Sequence, residues 1–167
     1  MPDTFIKIAS VTVGSGGASS IDFTSIPSTY TDLCVKFSLR AGSNNCNLRF
    51  NGSSAASYGQ KTLRGTGSAV DTYYSVNSGA TEIYFQALSS TSDTANTFSN
   101  VELYIPNYAG STNKSCSLDG VGENNGTTTY SNLIAGLWSN TAAITQVSVL
   151  SSFVQYSTAT LYGIKNS

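Results

Sequence analysis

A chain of 167 residues with a formal net charge of −1 and only 10% charged residues carries too little charge to attract nucleic acid or an anionic membrane electrostatically. Hydrophobic residues make up 40% of the chain and aromatic residues 11%, which is enough to build a core and argues against disorder. The absence of histidine removes Ser-His-Asp and Cys-His catalysis, His-ligated zinc and the usual neutral-pH proton shuttle.

The length predicts a single domain spanning 1–167, and the abundance of Ser, Thr, Asn and Gly over Lys and Glu favours extended structure over helix. The first residues, MPDTFIKIASVTVG, have no basic start and no long apolar run, so no signal peptide is expected. No stretch reaches the roughly 18 apolar residues of a membrane span. Thr4 to Val13 predicts a first strand, closed by a turn at Gly14-Ser15-Gly16-Gly17. Ile21, Phe23 and Ile26 predict a short second strand, stopped by Pro27.

Asp32 to Gly52 is the strongest period-two signal. Leu33, Val35, Phe37 and Leu39 alternate with Cys34, Lys36, Ser38 and Arg40, and Leu48 and Phe50 alternate with Asn47, Arg49 and Asn51. Such alternation places one set on a buried face and the other toward water. With a turn centred on Ser43-Asn44, the stretch predicts a central hairpin. Phe37 then lies opposite Phe50 and Leu39 opposite Leu48 on the core face, with Arg40 opposite Asn47 and Ser38 opposite Arg49 on the polar face. This register puts Cys34 on the polar face and Cys46 on the core face, so the two cannot bridge.

Ser53 to Gly67 reads as looser chain anchored by Tyr58 and Leu63, with a turn at Gly65-Thr66-Gly67. Strands are predicted at Val70 to Val76, Glu82 to Leu88, Phe98 to Ile105, Lys114 to Val121, Tyr130 to Trp138, Ile144 to Phe153 and Ala159 to Ile164. Ser89 to Asn96 is a polar loop, and Gly122-Glu123-Asn124-Asn125-Gly126 is a turn. Nowhere do apolar residues recur at helical spacing over three turns. The fold expected is therefore all-β, a jelly-roll-like β-sandwich of antiparallel strands.

Nothing in the sequence assembles a catalytic constellation, and no enzyme activity, cofactor or metal is expected. Cys34, Cys46 and Cys116 are an odd number in no metal spacing and read as free thiols. The glycine-rich Gly14 to Gly17 has no lysine after it and is not a phosphate loop. The carboxylates Asp3, Asp22, Asp32, Asp71, Glu82, Asp93, Glu102, Asp119 and Glu123 are scattered. Glu82 and Glu102 are the pair that adjacent strands would bring together for glycoside hydrolysis. Against that stands the plainer expectation that these acids are solvated or ion-paired with Arg49, Arg64 or Lys36. Tyrosine beside Asn and Ser forms protein interfaces and sugar platforms. Tyr73, Tyr74, Tyr84, Tyr104, Tyr108 and Tyr156 are the interface candidates, with packing or subunit contact the leading expectation. Trp138, after Ile134 and Leu137, is assigned to core or interface packing.

The segments FTSIPSTYTDLCVKFSLRAG, LRFNGS, LYIPNYAGS, LWSNTAAITQVSVL and STATLYGIK follow the order IP-x-x-Y-x-D-L, RFNG, IPNYA, W…AIT and LYGI. In this the chain resembles a group of small all-β bacteriophage virion proteins, from Phe23 to Lys165. The pattern is one of strand and turn residues. The resemblance implies a virion subunit assembled in the host cytoplasm, either a capsid decoration (cement) protein or a tail-fibre or spike component. It implies partners among virion subunits, the major capsid protein first. By analogy it implies a homo-oligomer, taken as a trimer, with the N-terminal strand available to pair with a neighbour. The decoration role is the first expectation. A fibre-tip module binding host-surface glycan through loops such as Tyr104 to Ser111 is the second, and a glycan hydrolase the third.

Overall fold

The computed structural model describes residues 4–86, 89–122, 125–127 and 130–165. Asp3, Glu123 and part of the turn that contains it, and Ala87 and Leu88 at the end of the strand expected from Glu82, lie outside the described residues. Among those described there is no helix. The strands are β1 (Phe5–Thr12), β2 (Ala18–Phe23), β3 (Asp32–Leu39), β4 (Asn45–Phe50), β5 (Tyr58–Thr66), β6 (Ala69–Ala80), β7 (Ile83–Gln86), β8 (Ser99–Ile105), β9 (Lys114–Gly122), β10 (Tyr130–Trp138), β11 (Val147–Phe153) and β12 (Thr158–Ile164).

They form two antiparallel layers. The larger sheet has the order β1-β12-β3-β8-β9-β10-β5-β6 and the smaller the order β2-β11-β4-β7. Every step from β1 to β5 changes layer, which is the jelly-roll-like feature of this sandwich. Period-two alternation sends one face of each strand into the space between the layers. In β9 it is nearly perfect, with Cys116 and Leu118 buried and Ser115, Ser117 and Asp119 exposed. Phe50, Tyr58 and Trp138 form the aromatic centre of the core, with Tyr58 stacked on Trp138 at 6.2 Å and Phe50 5.7 Å from Trp138. Gly136 gives Ile83 of the opposite layer room to enter, because a Cβ there would come within 2.7 Å of Ile83 Cδ1.

The expected central hairpin does not form. β3 pairs with β12 and β8 in the large sheet, whereas β4 pairs with β11 and β7 in the small one. Phe37, Leu39, Leu48 and Phe50 are all buried as expected, but the two sets belong to different layers and not to neighbouring strands. Alternation reports which face is buried and is silent on whether the partner sits about 4.8 Å away in the sheet or about 10 Å away across the core. The residues 40–44 between them are the passage from one layer to the other.

Two further expectations fail with the hairpin. Arg40 is not on a polar face but buried. Its guanidinium donates to the carbonyls of Thr94 (2.7 Å), Thr97 (3.1 Å) and Asp93 (3.0 Å) and to Thr97 Oγ1 (3.0 Å), which pins the loop after β7. Cys34 is buried as well, set between Tyr162 and Tyr104 on the adjoining strands. All three cysteines are free and buried, and burial pushes the Cys34 thiol up and that of Cys116 up to about 12. Leu63, expected as an anchor, is 53% exposed, while Tyr58 is fully buried. β1 pairs with β12 of its own chain from Phe5 to Thr12.

The segments between Phe23 and Lys165 that were singled out in the sequence hold one another. Tyr108 is buried and its hydroxyl donates to the Pro27 carbonyl. Asp32 Oδ1 accepts the Asn107 backbone N–H at 2.8 Å, and Oδ2 accepts the Tyr104 hydroxyl at 2.7 Å. Asn51, held in the left-handed region at φ 52°, accepts the N–H groups of Thr145 (2.8 Å) and Gln146 (3.0 Å) on Oδ1 and donates to the Ala143 carbonyl at 2.8 Å. The Tyr30 ring lies on Gly163 so closely that a Cβ there would come within 2.3 Å of it. These segments are thus joints of the fold.

Candidate functional site

The six candidate tyrosines separate into different environments. Tyr108 is an interior anchor, not an interface residue. Tyr104 is half-buried on β8 and committed to Asp32, whose hydrogen bond, with burial, pushes its hydroxyl up to about 12. Tyr156 is exposed in the turn between β11 and β12, with its backbone in the left-handed region at φ 71°. Tyr73, Tyr74 and Tyr84, by contrast, are brought together.

The backbone explains how adjacent residues Tyr73 and Tyr74 meet the same ring. In a regular strand they would point to opposite faces. The β5–β6 register runs from Leu63 opposite Thr72 to Lys61 opposite Ser75, so Tyr73 and Tyr74 together stand opposite Thr62. That extra residue is a β-bulge, which bends the edge strand and re-aims its side chains. The Tyr73 and Tyr74 rings lie 6.1 and 5.6 Å from that of Tyr84. A second irregularity follows between Gln60 and Tyr58, where Gly59 lets the Asn77 carbonyl approach to a point that any Cβ would occupy.

Tyr84 belongs to the small sheet, opposite Asn47 of β4. The three rings, Asn47, Thr81 and Glu82 line an open cleft of about 580 Å³ where the edge of the large sheet meets the outer face of the small one. Charges around it are matched. Arg49 contacts Glu82 Oε2 through Nε at 3.0 Å and a terminal nitrogen at 2.8 Å. Arg64 grips both oxygens of Asp71 at 3.2 and 2.8 Å while its guanidinium carbon sits 3.9 Å from the Tyr73 ring centre. Burial and the neighbouring Tyr73 hydroxyl push Tyr84 up to about 12, and its own hydroxyl donates to Asn45 Oδ1 at 2.6 Å.

The acid pair fares differently. Glu82 precedes β7 in the small sheet and Glu102 lies in β8 of the large one, so they do not meet. Three of the acids are ion-paired as expected, Glu82 with Arg49, Asp71 with Arg64 and Glu102 with Lys36, whereas Asp32 is buried and held by Tyr104 and Asn107. Among the described residues no three Cys, Asp or Glu side chains cluster as metal ligands.

A second surface feature went unread in the sequence. On the outside of the large sheet, register places Asp119, Leu133, Leu63 and Thr72 in one row, and Val121, Ser131, Gly65 and Val70 in the next. Leu63 is 53% exposed, Leu133 56% and Val70 78%, with Val121 and Leu137 exposed beside them. On β3 and β8 the same face carries the Lys36–Glu102 ion pair, and on β1 Phe5 is exposed against Tyr162. The signal was present in YSNLIAGLW of β10, where Leu133, Ala135 and Leu137 alternate with Ile134 and Trp138, so both faces are apolar.

Comparison with protein-family models and with curated proteins finds no match to this chain. What the described residues define is a two-layer antiparallel β-sandwich that carries an apolar group on its outer face and a tyrosine cleft.

Proposed function

We propose that this chain is a structural subunit of a bacteriophage virion, a capsid decoration protein that stabilises the shell through contacts with its own copies and with capsomers. The observation that carries the reading is a group of exposed apolar side chains on the outer face of β6, β5, β10 and β9, with Leu63 directly opposite Leu133, Val70 and Val121 in the next row, and Leu137 beyond Ala135. Isolated exposed apolar residues are normal, but several gathered on one face mark an interaction surface. The whole outer face of these four strands measures roughly 20 by 30 Å, on the order of 600 Å², and the apolar side chains share it with Asp119, Ser131, Lys61 and Thr72.

The phage assignment rests on the resemblance of the segments from Phe23 to Lys165. The mechanism is assembly and not turnover. Many weak copies of one contact become durable when each subunit is tethered at more than one point. A trimer is the oligomer proposed, and the chain would reach the particle from the cytoplasm in which it is made.

Electron cryomicroscopy of the intact particle tests this. Density for the sandwich on the capsid at a copy number comparable with the capsomers supports the reading. A few copies at the tail tip would contradict it and place the chain among fibre or spike components.

A further inference from the structure

We propose that the cleft formed by Tyr73, Tyr74 and Tyr84 is a binding site for a neutral saccharide. The inference concerns a different surface from the apolar patch and holds whichever part of the particle carries the chain.

Three features point to this chemistry. First, the site is built. A bulge in β6 places two consecutive tyrosines beside a third from the other layer. Tyr84 is itself fixed through its backbone, with the buried Gln60 side chain bonded to both its N–H and its carbonyl. Preorganised aromatic surface costs little entropy when a ligand is bound. Second, the volume of about 580 Å³ falls within the usual range for small-molecule sites, about 300–1,000 Å³ with a few well-placed polar groups. Tyr73 and Tyr74 remain 41% and 37% exposed, so their rings are accessible to an incoming apolar face. The C–H faces of a pyranose match such rings, while the Asn47 amide and the Glu82 carboxylate supply a donor and acceptors for ring hydroxyls. Both Arg49 contacts fall on Glu82 Oε2, leaving Oε1 as an acceptor.

Third, the electrostatics select against charged ligands. Arg49 is matched by Glu82, and Arg64 by Asp71. A phosphate, sulfate or sialate would find no net countercharge and would have to break one of these pairs. A hexose or N-acetylhexosamine unit keeps both intact.

The test uses the purified full chain and a panel of neutral di- and trisaccharides of glucose, galactose and N-acetylglucosamine, with glucose 6-phosphate as the charged comparison. Binding is read by saturation-transfer NMR and by titration calorimetry. The expected result is transfer to the ring C–H protons of at least one neutral sugar. Affinity should fall about tenfold in Tyr74→Ala, the loss of one stacking contact, and be unchanged in Tyr156→Ala, a distant exposed tyrosine. Thermal unfolding of Tyr74→Ala should match that of the parent, since the position lies on an exposed edge strand. No transfer from any neutral sugar, binding indifferent to Tyr74→Ala, or preference for glucose 6-phosphate would each overturn the proposal.

Discussion

The Gln60 side chain makes with Tyr84 the two hydrogen bonds that a neighbouring strand would make. Its Nε2 donates to the Tyr84 carbonyl at 2.8 Å, and its Oε1 accepts the Tyr84 N–H at 2.6 Å. Gln60 lies in the large sheet and Tyr84 on β7 of the small one, a strand paired on its other side with β4. A single buried amide thus closes the sandwich at the end where the tyrosine cleft opens.

Gln60→Ala is expected to cost about 2–4 kcal/mol, because it strips partners from two backbone groups and each such loss is worth about 1–3 kcal/mol. Gln60→Glu keeps an acceptor for the N–H but sets a carboxylate against the Tyr84 carbonyl, so it should rescue little. Urea unfolding of the two variants checks this. A midpoint unchanged in Gln60→Ala would show that water replaces the amide without loss.

Arg40 should be intolerant of lysine. Four hydrogen bonds from one guanidinium bind the loop carbonyls of Asp93, Thr94 and Thr97, and lysine has neither the planar fork nor the reach to replace it. Arg40→Lys is predicted to lose about 2–3 kcal/mol and to speed amide exchange in the segment from Ser89 to Thr97 more than in β3. Uniform acceleration across the sandwich would contradict the local role.

Stability should fall in alkali earlier than the core packing requires. Tyr104, hydrogen-bonded to Asp32 and part-buried, and Tyr84, part-buried beside Tyr73, are both held up at about 12, above the ordinary tyrosine value near 10. Folded pKa values above the unfolded ones mean that the folded state keeps its protons longer. The contribution is complete below about pH 10 and is lost as pH rises from about 10 through about 12. The urea midpoint should decline across that window, and less steeply in Tyr104→Phe, which has no proton to lose. A midpoint flat from pH 9 to pH 12 would be the opposite result.

The strands were legible because each buries one face, and period-two alternation shows this without knowledge of partners. β8, β9, β10 and β12 fall within a residue or so of the expected limits. Pairing was not legible. Leu39 and Leu48 satisfy the same burial requirement whether adjacent or stacked, and no residue between them forces a tight turn, so the expected hairpin became a crossing between layers. Nor was Arg40, which reads as a polar-face residue until the loop that wraps it is seen. In the cleft, Tyr73, Tyr74 and Tyr84 were singled out by type, but their meeting depends on a bulge that DTYYS does not announce. Tyr108 was misread for the reverse reason: its hydroxyl, a surface cue in sequence, is satisfied inside by Pro27.

Sedimentation velocity of the purified chain over a wide concentration range tests the assembly reading most directly, compared with a Leu63→Ser, Leu133→Ser double variant. Both sites are exposed on the outer face, so the variant should unfold within about 0.5 kcal/mol per site of the parent. The parent is predicted to sediment as a closed oligomer and the folded variant as a monomer. A parent that stays monomeric throughout, or an oligomer untouched by the two serines, would contradict the account.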